Sequence, residues 1–299
     1  QNKGLLTAVA MLFMGAFGIK SALFPLFFWL PASYHTPPVS VSAIFAGLLT
    51  KVGVYALIRM FTLVFTVNMP YTHGVLLAVA ALTMITGVLG AAAHNEFRRI
   101  LSFHIISQVG YMILGLALNT TLALAGAVFY LIHHIIVKAN LFLVSGVVQR
   151  LSGSFELSRI GGIYSKYGWT ALCFFIPAFS LAGFPPLSGF WAKMILIRAS
   201  LDIHHYLVAG IAAAVGLLTV YSMTKIWGEV FWKPAPRADT GDEVSLAAGP
   251  SGWMMTPIAG LVILTVIIGF GAEAFVEIAL KAAEELLHPE MYLKAVFGA

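Results

Sequence analysis

Four lysines fall inside stretches built otherwise from hydrocarbon side chains: Lys20, Lys51, Lys138 and Lys193. A lysine at the centre of a membrane helix costs about 2.5–3.5 kcal/mol even on the lenient insertion scale. Near a helix end such a side chain can reach the headgroups, and Lys225 is read that way. Near mid-span it needs another reason. The neighbours of these lysines are polar at helical spacing: Lys51, Tyr55 and Arg59 stand four residues apart, as do Tyr130, His134 and Lys138, with His133 alongside. Residues i and i+4 share a helix face, so each set reads as a polar stripe, and His104, Gln108 and Tyr111 form a third. The chemistry on offer is proton transfer. Histidine titrates near neutrality, and removing an amine from water can lower its pKa by up to about 3–5 units. Alternating lysine and histidine, bridged by water, would make a relay.

Carboxylates are missing from these stripes. The 12 acidic residues fall in loops, at helix ends or in the tail, three of them (Asp239, Asp242 and Glu243) in the 233–252 connection. Lys20 therefore has no counter-charge at mid-membrane in this sequence. Either Lys20 is neutral at rest or its partner sits on a helix outside this chain, and because Gln1-Asn2-Lys3-Gly4 reads like a loop between helices the second is expected. The single cysteine, Cys173, lies in an apolar run, so neither a disulfide framework nor a Cys-based metal site is expected. No metal and no cofactor is assigned. A remote alternative makes His104, His133 and His134 axial haem ligands, but bulky Phe129, Tyr130 and Ile135 crowd that position. A passive assembly scaffold would leave the buried lysines unexplained.

The elements that must position these residues follow from composition. The chain has 299 residues, 60% hydrophobic and 10% charged, with a mean hydropathy of +0.93. Soluble domains carry about 25% charged residues, so the fold class is an all-α polytopic membrane protein. Disorder, coiled coil, collagen and nucleic-acid binding are excluded. A spanning helix needs about 20 mostly apolar residues, and eight such spans are read: 5–31, 41–66, 74–94, 100–118, 121–149, 169–198, 206–232 and 253–280. Basic residues concentrate in the loops 94–99, 150–168 (Arg150, Arg159, Lys166) and 233–252 (Lys233, Arg237), whereas 67–73, 119–121 and 199–205 have none. That alternation places the basic loops, and the 32–40 turn with them, in the cytoplasm. Residues 281–287 read as a short amphipathic interfacial helix.

Two spans contain breaks, at Pro25 and at Pro185 and Pro186. A mid-helix proline leaves a carbonyl without its partner, which in lipid must be buried in protein or line a wet cavity. Phe24 to Trp29 and Pro185 to Trp191 are similar in letters, and Ala46-Gly47 with Val52-Gly53 recurs as Ala209-Gly210 with Val215-Gly216. Matching interrupted helices in oppositely inserted units are the inverted-repeat pattern of transporters. The expected organisation is 1–73 as the last helices of one half-channel repeat and 74–232 as a second. The loop 233–252 and then the last span with its tail, 253–299, follow.

Gly18 to Pro31, with Pro37-Pro38-Val39-Ser40 after it, resembles the proton-channel sequence of antiporter-like subunits. These occur in respiratory complex I, membrane-bound hydrogenases and Mrp-type Na+/H+ antiporters. Phe27 to Pro31, Leu48 to Tyr55 and the tail Glu284 to Tyr292 are most similar to the D-type Mrp subunits. The resemblance implies a fourteen-helix inverted-repeat fold of which this chain is the C-terminal portion, starting near the seventh helix. It implies that Lys20 pairs with a glutamate on the fifth helix and that Lys51 is the connecting residue of the first half-channel. It also implies that His104, His134 and Lys138 carry protons along the central axis and that Lys193 is the exit-side lysine. Implied partners are the other Mrp subunits in a bacterial plasma-membrane complex exchanging Na+ for H+. The nearest alternative is a proton-pumping subunit of an NADH dehydrogenase or hydrogenase.

Overall fold

A computed structural model describes residues 3–235 and 249–298, and the described residues form helices and connecting turns, with one isolated β-bridge. Most of the 233–252 connection, with Arg237 and its three carboxylates, lies outside the described residues, as do Gln1 and Asn2. Helix α1 (Lys3–Ser21) is followed by the short α2 (Trp29–Tyr34). Helix α3 (Val39–Ile44) passes through a π turn at Phe45–Leu49 into α4 (Thr50–Leu63). Then come α5 (Met69–Ala93), α6 (Phe97–Leu118) and α7 (Thr121–Ser152). Beyond them lie the single turn α8 (Ile163–Lys166), α9 (Gly168–Ala182), α10 (Ser188–Asp202) and α11 (Tyr206–Ile226), which ends in a π turn, Trp227–Trp232. Helices α12 (Gly252–Phe270), α13 (Ala272–Leu287) and α14 (Glu290–Phe297) complete the described chain.

Among the described residues, seven helical stretches are long and apolar enough to cross a membrane, and α9 is a shorter apolar helix. The sixth expected span is not one continuous helix but two, α9 and α10, separated by its break. The last expected span differs: it stops at Phe270, and the amphipathic segment is the longer α13, which buries Ala272, Ala279 and Ala283 and exposes Glu273, Glu277, Lys281, Glu284 and Glu285. The signal was present in the charged residues Glu273, Glu277, Lys281 and Glu285, which recur four residues apart and so run along one side of the helix.

Helices α6 and α7 occupy the centre. The α6 span is 94% buried, so its polar residues as well as its apolar ones face protein. Its start is fixed by the Glu96 carboxylate, which accepts from the amides of Arg98 (3.1 Å) and Arg99 (2.7 Å), an N-cap that also complements the helix dipole. Thr120 caps α7 by accepting from the Ala123 amide, and Gly153, at φ 75°, ends it.

The sidedness read from the basic residues is internally consistent. The amide of Phe97 donates to Phe155 O at 3.0 Å and that of Leu157 to Asn95 O at 2.9 Å, joining the loops at 94–99 and 150–168. Arg98 reaches Pro37 O at 3.0 Å, and Gly162 N donates to Lys233 O at 2.6 Å. All four connections therefore lie at one end of the bundle. Lys225 also ends there, on the carbonyls of Ala92 (3.2 Å) and His94 (2.8 Å). It closes the C-terminus of α5 rather than reaching out to headgroups. A cation is favourable at that position because the last carbonyls of a helix are unpaired and carry partial negative charge.

The two breaks correspond closely. A left-handed residue, Ala22 (φ 60°) or Gly183 (φ 95°), precedes by three positions a proline, Pro25 or Pro186, whose peptide bond is cis. Their polar groups are satisfied differently. At the first break Trp29 Nε1 donates to Ile19 O (2.9 Å), and the Phe24 amide donates to Thr83 Oγ1 (3.0 Å) on α5. Replacing Thr83 by valine keeps the shape but leaves that amide unpaired. Thr83→Val is expected to lower stability by about 1–3 kcal/mol, read as a lower thermal midpoint of the detergent-solubilised protein.

Candidate functional site

At the second break, Lys193 on α10 folds back so that its Nζ donates to Ala182 O, the last residue of α9, at 3.0 Å. The break exposes that carbonyl and the lysine occupies it, so the proline pair and the cation form one local structure. The same ammonium lies 5.3 Å from the Tyr111 ring centroid, within cation–π range. Lys20 stands before its break and Lys193 after its own, so the two lysines are on opposite sides of corresponding turns.

Lys138 on α7 is fully buried, and its Nζ donates to Leu101 O on α6 at 3.1 Å. Lys51 opens the first turn of α4 directly after the π turn. It is 3% exposed and donates to Ala46 O inside that turn. A π turn is rare and recurs at functional positions; here its geometry brings a carbonyl to the lysine. Each of these lysines thus has one backbone acceptor for up to three donors. Lys138 is within electrostatic reach of Lys51 on one side and Lys193 on the other.

The histidines fill the space between. His134 is completely buried, within electrostatic reach of Lys51, Lys138, His133 and His104, and neither ring nitrogen has a protein partner. His104 Nε2 lies 2.6 Å from Ser222 Oγ on α11, and its Nδ1 is unpartnered. Tyr130 donates to Gln108 Oε1, stacks on Tyr111 with centroids 5.4 Å apart, and contacts the rings of His133 (5.6 Å) and His134 (6.4 Å). Tyr111 in turn donates to Ala212 O at 2.5 Å. Buried polar atoms are nearly always hydrogen-bonded to protein or water, so the free nitrogens of His134, His104 and Gln108 mark positions suited to water.

Two of the three sequence stripes therefore converge: His104, Gln108 and Tyr111 on α6, and Tyr130, His134 and Lys138 on α7. The stripe on α4 divides. Lys51 turns inward, Tyr55 is 60% exposed, and Arg59 stacks over the Tyr292 ring at 4.3 Å near the tail. Lys20, in the last turn of α1, is exposed on the chain's surface and makes no hydrogen bond or ion pair with the described residues. The structure does not bring Lys20 to the inner cluster. Sequence reasoning missed Ser222, the partner of His104, and Asn140, whose Nδ2 donates to Ile258 O on α12 at 2.9 Å. Each pair is 118 positions apart, beyond any local pattern.

A helical membrane bundle with two interrupted helices and internal cations between its central helices is transporter-like in construction. The chain belongs to the NADH:quinone oxidoreductase/Mrp antiporter family, which residues 1–219 match. It is 47% identical over 296 residues to the D-type Na(+)/H(+) antiporter subunit of Alkalihalophilus pseudofirmus, covering 99% of this chain and 59% of that protein. The D-type Na(+)/H(+) antiporter subunit of Bacillus subtilis is 37% identical over 98% of this chain and 58% of its own. A chain in the structure of the Mrp complex from Dietzia sp. DQ12-45-1b superimposes with a TM-score of 0.91 at 33% identity, covering 97% of this chain and 61% of that one. A chain of respiratory complex I from Thermus thermophilus has the same fold, with a TM-score of 0.80 at 24% identity over 93% of this chain and 58% of that one. The chain spans about three fifths of the length of the curated relatives it matches.

Proposed function

We propose that this chain carries protons through the membrane as part of a multisubunit Na+/H+ antiporter in a bacterial plasma membrane. Its partners would be the other subunits of an Mrp-type complex. The observation that carries the reading is the buried set Lys51, Lys138 and Lys193, interleaved with His134 and His104 and facing no carboxylate among the described residues. Desolvated amines placed at about 2.5–3.5 kcal/mol each are costly as decoration, but each can take up and release a proton. In the proposed order, Lys51 receives a proton on the α4 side and His134 passes it to Lys138. From there it reaches Lys193 at the second break, with water completing the steps between side chains. Lys20 is assigned a place at the entrance, its counter-charge supplied by another helix. A Na+ site needs several oxygen ligands, and none is assigned to this chain.

The test is reconstitution of the assembled complex in vesicles with an imposed, acid-inside pH gradient. External Na+ is expected to collapse the gradient, as read by a pH-sensitive dye, and an unchanged gradient would count against the antiport reading. The fold similarity to complex I supports a second reading, a proton-pumping subunit of a redox complex. Flavin and iron–sulfur subunits co-purifying with the chain would favour it.

A further inference from the structure

His133 is a buried histidine that the proposed path does not use, and it is attached to the second break. Its Nδ1 lies 2.8 Å from Ser188 Oγ, the first residue of α10, and Ser188 Oγ lies 3.0 Å from Ser180 Oγ in the last turn of α9. Ser180 Oγ also accepts the Gly189 amide at 3.3 Å. All three side chains are buried to within 1%. Gly189 makes this possible: a Cβ there would fall on the Ser180 carbonyl, so only glycine lets the two helix ends approach closely enough for the hydroxyls to meet.

One hydrogen-bond sense that satisfies both hydroxyls and Nδ1 has the hydroxyls donating toward the histidine. Gly189 N–H donates into Ser180, so the Ser180 hydroxyl is free to donate to Ser188, and Ser188 to His133 Nδ1. In that arrangement Nδ1 is an acceptor and the ring proton sits on Nε2, because each nitrogen's role is set by the bond the other makes. Nε2 has no protein partner. His133 is also within electrostatic reach of Lys193 and Lys138.

Building on the proposed proton path, we infer that Ser188, held by Ser180, is a positioning residue for it. By donating to Nδ1, Ser188 keeps the His133 ring proton on Nε2, so that Nε2–H is the group left to hydrogen-bond toward the lysine cluster, and no proton passes through the hydroxyls. His133 is thereby a side branch coupling the lysine cluster to the break.

The experiment measures Na+-driven proton flux in vesicles bearing the full complex, with subunit assembly checked by co-purification. Ser188→Ala is expected to slow flux about tenfold or more, since a mis-set histidine loses general acid–base efficiency, while Ser188→Thr, which keeps the hydroxyl, restores at least half the rate. In a His133→Gln background, Ser188→Ala should have no further effect, because coupled residues are non-additive. Equal loss in the alanine and threonine variants, or additive loss in the double variant, would overturn the inference in favour of packing. So would wild-type flux in Ser188→Ala alongside a dead Lys138→Ala control. Wild-type flux in that control would instead sink the proposed path itself.

Discussion

Replacing Lys138 by alanine is expected to reduce proton-coupled transport at least about 100-fold while leaving the complex assembled. Lys138 has neighbours on both sides, Lys51 and Lys193, so its loss opens a gap in the middle of the relay rather than at an end. Positioned acid–base groups contribute about 10²–10⁴-fold, and water alone would have to bridge the gap. The fold should survive, because the side chain makes one hydrogen bond, to Leu101 O. That carbonyl lies inside α6, so it retains a helical partner when the amine is gone. Dye-reported collapse of a pH gradient measures the flux, and co-purification of the partner subunits measures assembly. Undiminished flux would remove Lys138 from the path.

The second large effect is expected at Lys193, and there two substitutions separate charge from proton exchange. Lys193→Ala removes both the amine and the partner of the Ala182 carbonyl, so flux should fall about 100-fold and the thermal midpoint should drop as well. A buried acceptor left unpaired costs about 1–3 kcal/mol. Lys193→Arg keeps a cation for the carbonyl, but a guanidinium does not release its proton in proteins. Its flux should be as low as that of the alanine variant, with more of the stability retained. An arginine variant that transports like the parent would mean that a fixed charge suffices at this position.

Much of the fold was legible because a bilayer imposes simple demands. Apolar length gave the spans, and basic loops gave a sidedness that the Arg98–Pro37 and Gly162–Lys233 hydrogen bonds bear out as a shared end. Proline and glycine marked both breaks. The end of the last span was misplaced because Phe270 to Leu280 stays apolar on one face, while Glu273 and Glu277 turn outward. Helical spacing identified the stripes on α6 and α7, which are buried on nearly all sides, so that any polar face there meets another helix. The same rule failed for Tyr55 on α4, because spacing fixes a relative angle and not which face is inward. Ser222, Asn140 and the Ser180–Ser188 pair were invisible as functional residues, since serine and asparagine are common in membrane helices and only tertiary packing shows whom they meet.

The most direct test of the central claim is a cryo-electron microscopy map of the assembled complex at a resolution that shows water. The account predicts ordered water within hydrogen-bonding distance of both His134 ring nitrogens, linked onward to the amines of Lys51 and Lys138. A dry, close-packed interior at His134, with those amines turned away toward lipid headgroups, would contradict it.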